Sequence, residues 1–108
     1  MRNIDSLKNS GEFQRVYGKR NSLADRYLVI YIAEGSGKIG IVCSKKVGNS
    51  VVRHRITRLI REAYRLNKEH IDPDKDTIIV AREKAKDRGF TEIAESFVSI
   101  LKRHAVYH

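Results

Sequence analysis

Seven basic side chains lie between positions 45 and 65: Lys45, Lys46, Arg53, Arg55, Arg58, Arg61 and Arg65. Glu62 is the one acid in that window, which therefore carries +6 of the chain's formal net charge of +9 in about a fifth of its 108 residues. The remainder is close to balanced, so the charge is a patch rather than a background. Five of the seven are arginines, in a chain that uses lysine freely elsewhere. A guanidinium is a planar fork whose paired N–H groups match the oxygens of a phosphate, so the chemistry on offer is anion binding. A solvated helix face usually interleaves signs, with Glu placed before Lys or Arg at i, i+4. Here Arg58, Arg61 and Arg65 repel one another at helical spacing with only Glu62 to relieve them, which favours contact with a nucleic acid over a merely solvated face.

Other constellations carry less. Asp72, Asp74, Asp76, Ile79 and Glu83 have the spacing of a calcium-binding loop, but position six is Thr77 where the sharp turn needs glycine. His104 and His108 have i, i+4 ligand spacing with no third ligand near them in sequence. Cys43 sits among Ile41, Val42 and Ser44 and reads as a strand thiol rather than a nucleophile. The sequence shows no His–Asp or paired-carboxylate arrangement of the kind a self-sufficient nuclease needs. One cysteine excludes an internal disulfide. The longest apolar run, Tyr27 to Ala33, has the length of a strand, far short of a membrane span. Residues 1–5, Met-Arg-Asn-Ile-Asp, lack the apolar stretch of a signal peptide. The expectation is one cytoplasmic domain over residues 1–108, with no membrane partner.

The basic patch must be carried by regular elements. Asn9 to Tyr17 reads as a short helix, with Asn9 as cap, Glu12 at capping-box distance, Phe13, Val16 and Tyr17 on one side, and Gly18 at its end. Tyr27 to Ala33 and Lys38 to Ser44 read as strands flanking the turn Glu34-Gly35-Ser36-Gly37, which predicts a hairpin. Gly48-Asn49-Ser50 breaks the second strand and offers a helix cap. Val51 to about Lys68 is the longest helical pattern, Thr77 to Ala81 a short buried strand after the loop Asp72 to Lys75, and Thr91 to about His104 a final amphipathic helix. The order α-β-β-α-β-α, with helices covering one face of the strands, predicts an α+β sandwich. The third strand can run parallel to a hairpin strand through a crossover, and the general rule makes such a crossover right-handed.

At about 100° per residue, Val52, Ile56, Leu59, Ile60, Ala63 and Leu66 share one arc of the long helix. Arg58, Arg61 and Arg65 lie opposite with His54, Arg55 lies at the edge, and Arg53 lies near the apolar boundary. A DNA-reading helix is normally preceded by another helix at a tight turn. A strand and a glycine loop precede this one, which favours shape-directed contact with folded RNA.

The stretch from Gly40 through Ser44-Lys45-Lys46, Gly48-Asn49 and Arg53-His54-Arg55 to Arg58, Arg61 and Glu62 resembles the signature of the protein subunit of bacterial ribonuclease P. That family has a strand ending in Ser-Lys-Lys/Arg, a Gly-Asn turn, and a helix with an Arg-Asn-Arg core followed by further basic residues. Phe13-Gln-Arg-Val-Tyr17 is similar to its aromatic helix, Tyr27-Leu-Val-Ile-Tyr31 to its first strand, and Thr77-Ile-Ile-Val-Ala81-Arg82 to its later one. Two positions depart from the pattern: His54 stands where Asn is usual, and Thr57 where Lys is common.

The resemblance implies a fold like the second domain of ribosomal protein S5, with a left-handed βαβ crossover against the general rule. It implies a ribonucleoprotein endoribonuclease that removes the 5′ leader of precursor tRNA. Its RNA subunit is catalytic and holds the Mg²⁺, and the protein supplies no catalytic residue and no metal ligand. One protein per RNA is expected. Lys45, Lys46, Asn49, Arg53, His54, Arg55, Arg58, Arg61 and Arg65 are then the residues that face the RNA subunit. Phe13, Tyr17 and Tyr31 would line a cleft for the leader, between the first helix and the sheet. From strand alternation, Leu28, Ile30 and Ile32 take the inner face and Tyr27 and Tyr31 the cleft side. Plain core packing is the competing role for Phe13 and Tyr17. A general RNA-binding protein of ribosomal type, without a part in tRNA processing, is the alternative function.

Overall fold

A computed structural model of the chain describes residues 6–108; the sequence reading of residues 1–5 lies outside them. Three helices, α1 (Ser10–Gly18), α2 (Ser50–Asn67) and α3 (Phe90–Arg103), accompany four strands, β1 (Ser22–Ala24), β2 (Leu28–Glu34), β3 (Ile39–Val42) and β4 (Lys75–Ala81). Single 3₁₀ turns occupy Lys68–His70 and Glu83–Ala85.

The sheet order is β1-β2-β4-β3, and this overturns the expected hairpin. β4 inserts between β2 and β3. It pairs antiparallel with β2 from Leu28↔Ala81 to Glu34↔Lys75, and parallel with β3 from Ile39↔Thr77 to Val42↔Val80. The reason is composition. Ile78 and Ile79 are consecutive, point to opposite faces and are both fully buried. A strand that is apolar on both sides belongs in the middle of a sheet whose two faces are covered. β1 is a three-residue edge strand paired with β2, too short for alternation to reveal it.

The segment from Gly35 to Lys38 therefore bridges the start of β4 instead of closing a turn. The carboxylate of Asp76, 1% exposed, accepts hydrogen bonds from the backbone N–H groups of Ser36 (3.0 Å) and Lys38 (2.8 Å). The Gly35 N–H donates to the Asp74 carbonyl (2.9 Å). A Cβ at Gly35 would stand 2.2 Å from the Asp76 carboxylate, so glycine is required by the closeness of that approach.

Helices cover both faces, where a single covered face was expected. α2 and α3 pack on the side of Leu28, Ile30, Ile32, Ile39 and Ile79, together with Ile56, Ile60, Phe97, Ile100 and Leu101. α1 lies on the opposite side, where Val16, Ala33 and Ile78 form a smaller cluster with Leu7. On α2 the buried arc is rotated from the expected one. Tyr64 is buried, its hydroxyl donating to the Gly37 carbonyl at 3.4 Å, while Leu66 is 50% exposed. The tyrosine fills the space beneath the Gly35–Lys38 bridge, and Leu66 is turned out.

Candidate nucleic-acid interface

α2 starts where the sequence places its cap. The Asn49 side chain accepts from the Val52 N–H at 3.0 Å, and the helix runs 18 residues without interruption. His54, Arg58, Arg61 and Arg65 fall at i, i+4, i+7 and i+11, and all four are exposed. They therefore form one stripe along the helix. Arg58, Arg61 and His54 make no side-chain hydrogen bond or ion pair with any described residue, and neither does Lys45 in the exposed segment before the helix. Arg65 is partnered by Glu62 through two hydrogen bonds of 3.0 and 2.6 Å. Free guanidinium groups held at fixed spacing on a rigid helix can grip a phosphate backbone.

The other two arginines of the patch are committed inside the molecule. Arg53 donates from Nε to the Gly48 carbonyl at 3.2 Å, closing the turn that leads into α2. Arg55 donates to the carbonyls of Lys86 (3.2 Å) and Arg88 (2.6 Å), tying α2 to the segment before α3. Asn49 spends its side-chain oxygen on the cap. The structure thus separates the predicted basic residues into an open stripe and a set that shapes the helix's surroundings. Nothing in sequence spacing distinguishes the two sets, because the acceptors are backbone carbonyls, local for Arg53 and more than thirty residues away for Arg55.

The aromatic residues come together on the other side of the sheet. The rings of Phe13 and Tyr17 on α1 lie 6.4 Å apart, and Tyr17 meets Tyr31 of β2 at 4.7 Å. All three are half-buried, beside Val42 and Val80. Burial and the neighbouring Tyr31 push the Tyr17 phenol above its usual 10.0, so it stays protonated. Gly40 admits Phe13: a Cβ there would come within 2.6 Å of the ring. Phe13 thus packs on β3 while remaining half-buried beside Tyr17.

Polar contacts on its far side hold α1 in position. Arg15 reaches the Glu34 carbonyl (2.6 Å) and pairs with Asp76, and Glu12 pairs with Lys38 at 3.0 Å. The Asn9 cap forms, and the Glu12 carboxylate accepts chiefly from the Lys8 N–H at 2.6 Å, with the Asn9 N–H a lesser partner.

Tyr27 does not share a face with Tyr31, contrary to the alternation argument. Asp25 accepts from the N–H groups of Tyr27 (2.8 Å) and Leu28 (3.0 Å), so the chain turns there and alternation begins only at Leu28. Tyr27 packs against the main core, flanked by Arg26 and Arg88.

The groups that sequence spacing could link to metals are dispersed. Asp76 is taken up by the N–H groups of Ser36 and Lys38 and by Arg15, Asp72 pairs with His108, and His104 Nε2 meets the Ile30 carbonyl at 2.8 Å. Among the described residues no three His, Cys, Asp or Glu side chains converge on a common point suited to an ion. Cys43 is half-buried and unpaired, and burial pushes its thiol up despite nearby Arg53. No helix of the described chain is long and apolar enough to cross a membrane.

Comparison with known proteins agrees with this geometry. The ribonuclease P family model matches residues 1–105. The chain is 46% identical over 105 residues to the ribonuclease P protein component of Lachnoclostridium phytofermentans, covering 94% of this chain and 90% of that one. It is 41% identical to the protein of the same name from Clostridium novyi, with both chains covered completely. A solved structure of the RNase P protein of Staphylococcus aureus superimposes with a TM-score of 0.87 at 37% identity, over 98% of this chain and 100% of that one. The RNase P protein of Thermotoga maritima does so at 0.82 and 25% identity, over 92% and 96%. With the family model spanning nearly the whole sequence and the same α+β fold in these solved relatives, the chain belongs to the ribonuclease P protein family.

Proposed function

We propose that this chain is the protein subunit of a ribonuclease P particle. It grips the catalytic RNA with one side of α2 and presents an aromatic cleft to the 5′ leader of precursor tRNA. The observation that carries this reading is the open stripe of His54, Arg58, Arg61 and Arg65, in which Arg58 and Arg61 have no partner among the described residues. Lys45 and Lys46 extend the positive surface ahead of the helix. Arg53, Arg55 and Asn49 serve the same contact by fixing the helix start and its packing. Phe13, Tyr17 and Tyr31 offer ring faces on which unpaired bases stack, each worth about 1–3 kcal/mol. Phosphate contacts position the RNA without reading its sequence, and stacking tolerates any base, which suits an enzyme that must accept many leaders.

In this assignment the protein carries no catalytic group. The Mg²⁺ belongs to the RNA subunit, one protein serves one RNA, and the particle works in the cytoplasm. The ribosomal-type alternative has no observation of its own in its favour. Reconstitution with the RNA subunit at low, near-physiological Mg²⁺ tests the proposal: adding the protein should raise precursor cleavage steeply, and the protein alone should cut nothing. Cleavage by protein without RNA would overturn it.

A further inference from the structure

We propose that the cavity beyond the carboxyl ends of β3 and β4 is an oligophosphate site, and that its occupant in the assembled particle is the phosphorylated 5′ end of an RNA strand. The cavity measures about 410 Å³. Three segments enclose it: Arg26 from the β1–β2 turn, Ser44 and Lys46 from the β3–α2 connection, and Arg82, Glu83 and Lys84 after β4. Four cations against one carboxylate leave a charge of +3 on its lining. Two buried apolar residues complete the wall.

Two of the four cations are held in place by the protein and two are left open. Arg82 donates from Nη1 to the Asp25 carbonyl at 2.9 Å, which fixes its guanidinium and leaves its other donors free. Arg26 lies over the Tyr27 ring, 5.8 Å from its centroid. The side chains of Lys46 and Lys84 make no hydrogen bond or ion pair with any described residue. Like charges assembled in excess of their one carboxylate destabilise the fold, and an anion that binds only the native state reverses this.

The charge count selects the ligand. An internal phosphodiester brings one negative charge, a terminal phosphate monoester about −1.5 to −2, and a chain of phosphates more. A concave site walled by three segments also admits a chain end more readily than the middle of a strand. The position fits a strand end as well. Tyr31 pairs with Ile78, and Arg82 follows four residues later, about 13 Å along the strand direction. The RNA-end assignment rests on the proposed leader cleft; the affinity for oligophosphate does not.

The test uses the full chain and inorganic tripolyphosphate, with sulfate at matched ionic strength as reference. Calorimetric titration and thermal melts should show wild-type protein binding tripolyphosphate well above sulfate. The variant Arg26→Gln/Lys84→Gln should bind about tenfold more weakly, and Arg82→Gln should do likewise unless losing the Asp25 bond lowers its melting point, which makes the double variant decisive. The charge-matched control Lys68→Gln/Lys102→Gln should bind as wild type does. Equal loss in control and double variant would overturn the site.

The RNA arm compares one oligonucleotide carrying a 5′ hydroxyl, monophosphate or triphosphate. Affinity should rise in that order for wild type and stay level for Arg26→Gln/Lys84→Gln. Identical affinities for all three ends in wild type would overturn the chain-end assignment and leave an internal diester as occupant. Failure of the cleft itself would show separately, as indifference of every oligonucleotide to Tyr31→Ala.

Discussion

Tyr17 stands at right angles to Tyr31, with ring centroids 4.7 Å apart and planes at 88°, one ring carried by α1 and the other by β2. An edge-to-face pair is favoured by the ring quadrupoles. In this arrangement neither face of the ring that offers its edge is covered by its partner ring. The pair is thereby fixed across α1 and β2, and in the proposed leader cleft it would offer ring surface to an unpaired base.

Tyr31→Ala should reduce the preference for leader-bearing precursor over mature tRNA by about tenfold, the value of one stacked base toward the lower end of its range. Phe13→Ala should lower this preference and the melting temperature together, because the ring also packs over Gly40. Gly40→Ala should reproduce the Phe13 effect without touching the ring's chemistry. Binding measured against both RNAs, with a melt on each variant, checks this; a precursor preference unmoved in Tyr31→Ala assigns that ring to packing.

Arg58→Ala and Arg61→Ala should each weaken binding to the RNA subunit and flatten its log–log salt dependence by about one unit or less. Arg65→Ala should do less, since its guanidinium is already shared with Glu62. Titrations at three or more salt concentrations measure the slopes. Unchanged slopes for both Arg58 and Arg61 would give those side chains to solvent.

Arg55→Ala should behave as a stability variant. It removes two hydrogen bonds to the carbonyls of Lys86 and Arg88 at an exposed site, a loss of about 1 kcal/mol. The melting temperature should fall by about 4–8 °C with the salt slope preserved. A slope reduced as far as that of Arg58→Ala would place Arg55 on the RNA.

Acid should weaken the fold through Asp76 and Asp25. Burial raises both carboxyls, but for Asp76 the N–H groups of Lys38 and Ser36 and the Arg15 guanidinium outweigh it. For Asp25 the Ser96 hydroxyl and the N–H groups of Leu28 and Tyr27 do so, and both end below the ordinary 3.8. A carboxyl depressed in the folded state contributes stability that is fully present above its unfolded value and lost as pH falls through the folded one. Denaturant melts between pH 6 and about pH 2 should therefore show stability falling below roughly pH 4. Asp76→Asn should cost about 2–3 kcal/mol at neutral pH and flatten that acid limb. A parallel pH profile in the variant would exonerate Asp76.

Much of this architecture is legible in the residues themselves. Asn9 and Asn49 cap the helices they were expected to cap, because a short side-chain oxygen before a helical pattern has few other uses. The basic stripe follows from spacing alone, and so does the joint presence of Phe13 and Tyr17 on one side of α1. The position of β4 does not, because a β-turn composition such as Glu34-Gly35-Ser36-Gly37 also serves a loop that crosses a third strand. The signal was available in the unbroken apolar run Ile78-Ile79-Val80-Ala81, which marks a centre rather than an edge. Leu66 and Tyr64 exchanged places because a helical wheel weighs polarity and ignores what each side chain must fill. The bonds of Arg55 depend on carbonyls brought near only by the fold, and that of Arg53 on the path of the turn before α2, which residue types alone do not specify.

The central place of β4 sets an order of events during synthesis. β2 and β3 leave the ribosome with no permanent neighbour between them, and the sheet closes only after residue 81 has emerged. By then the whole of α2, arginines included, is already outside. A nascent chain of this kind displays its most adhesive helix to any polyanion before it owns a finished core, so early capture by RNA would act as a folding template rather than as a final docking step.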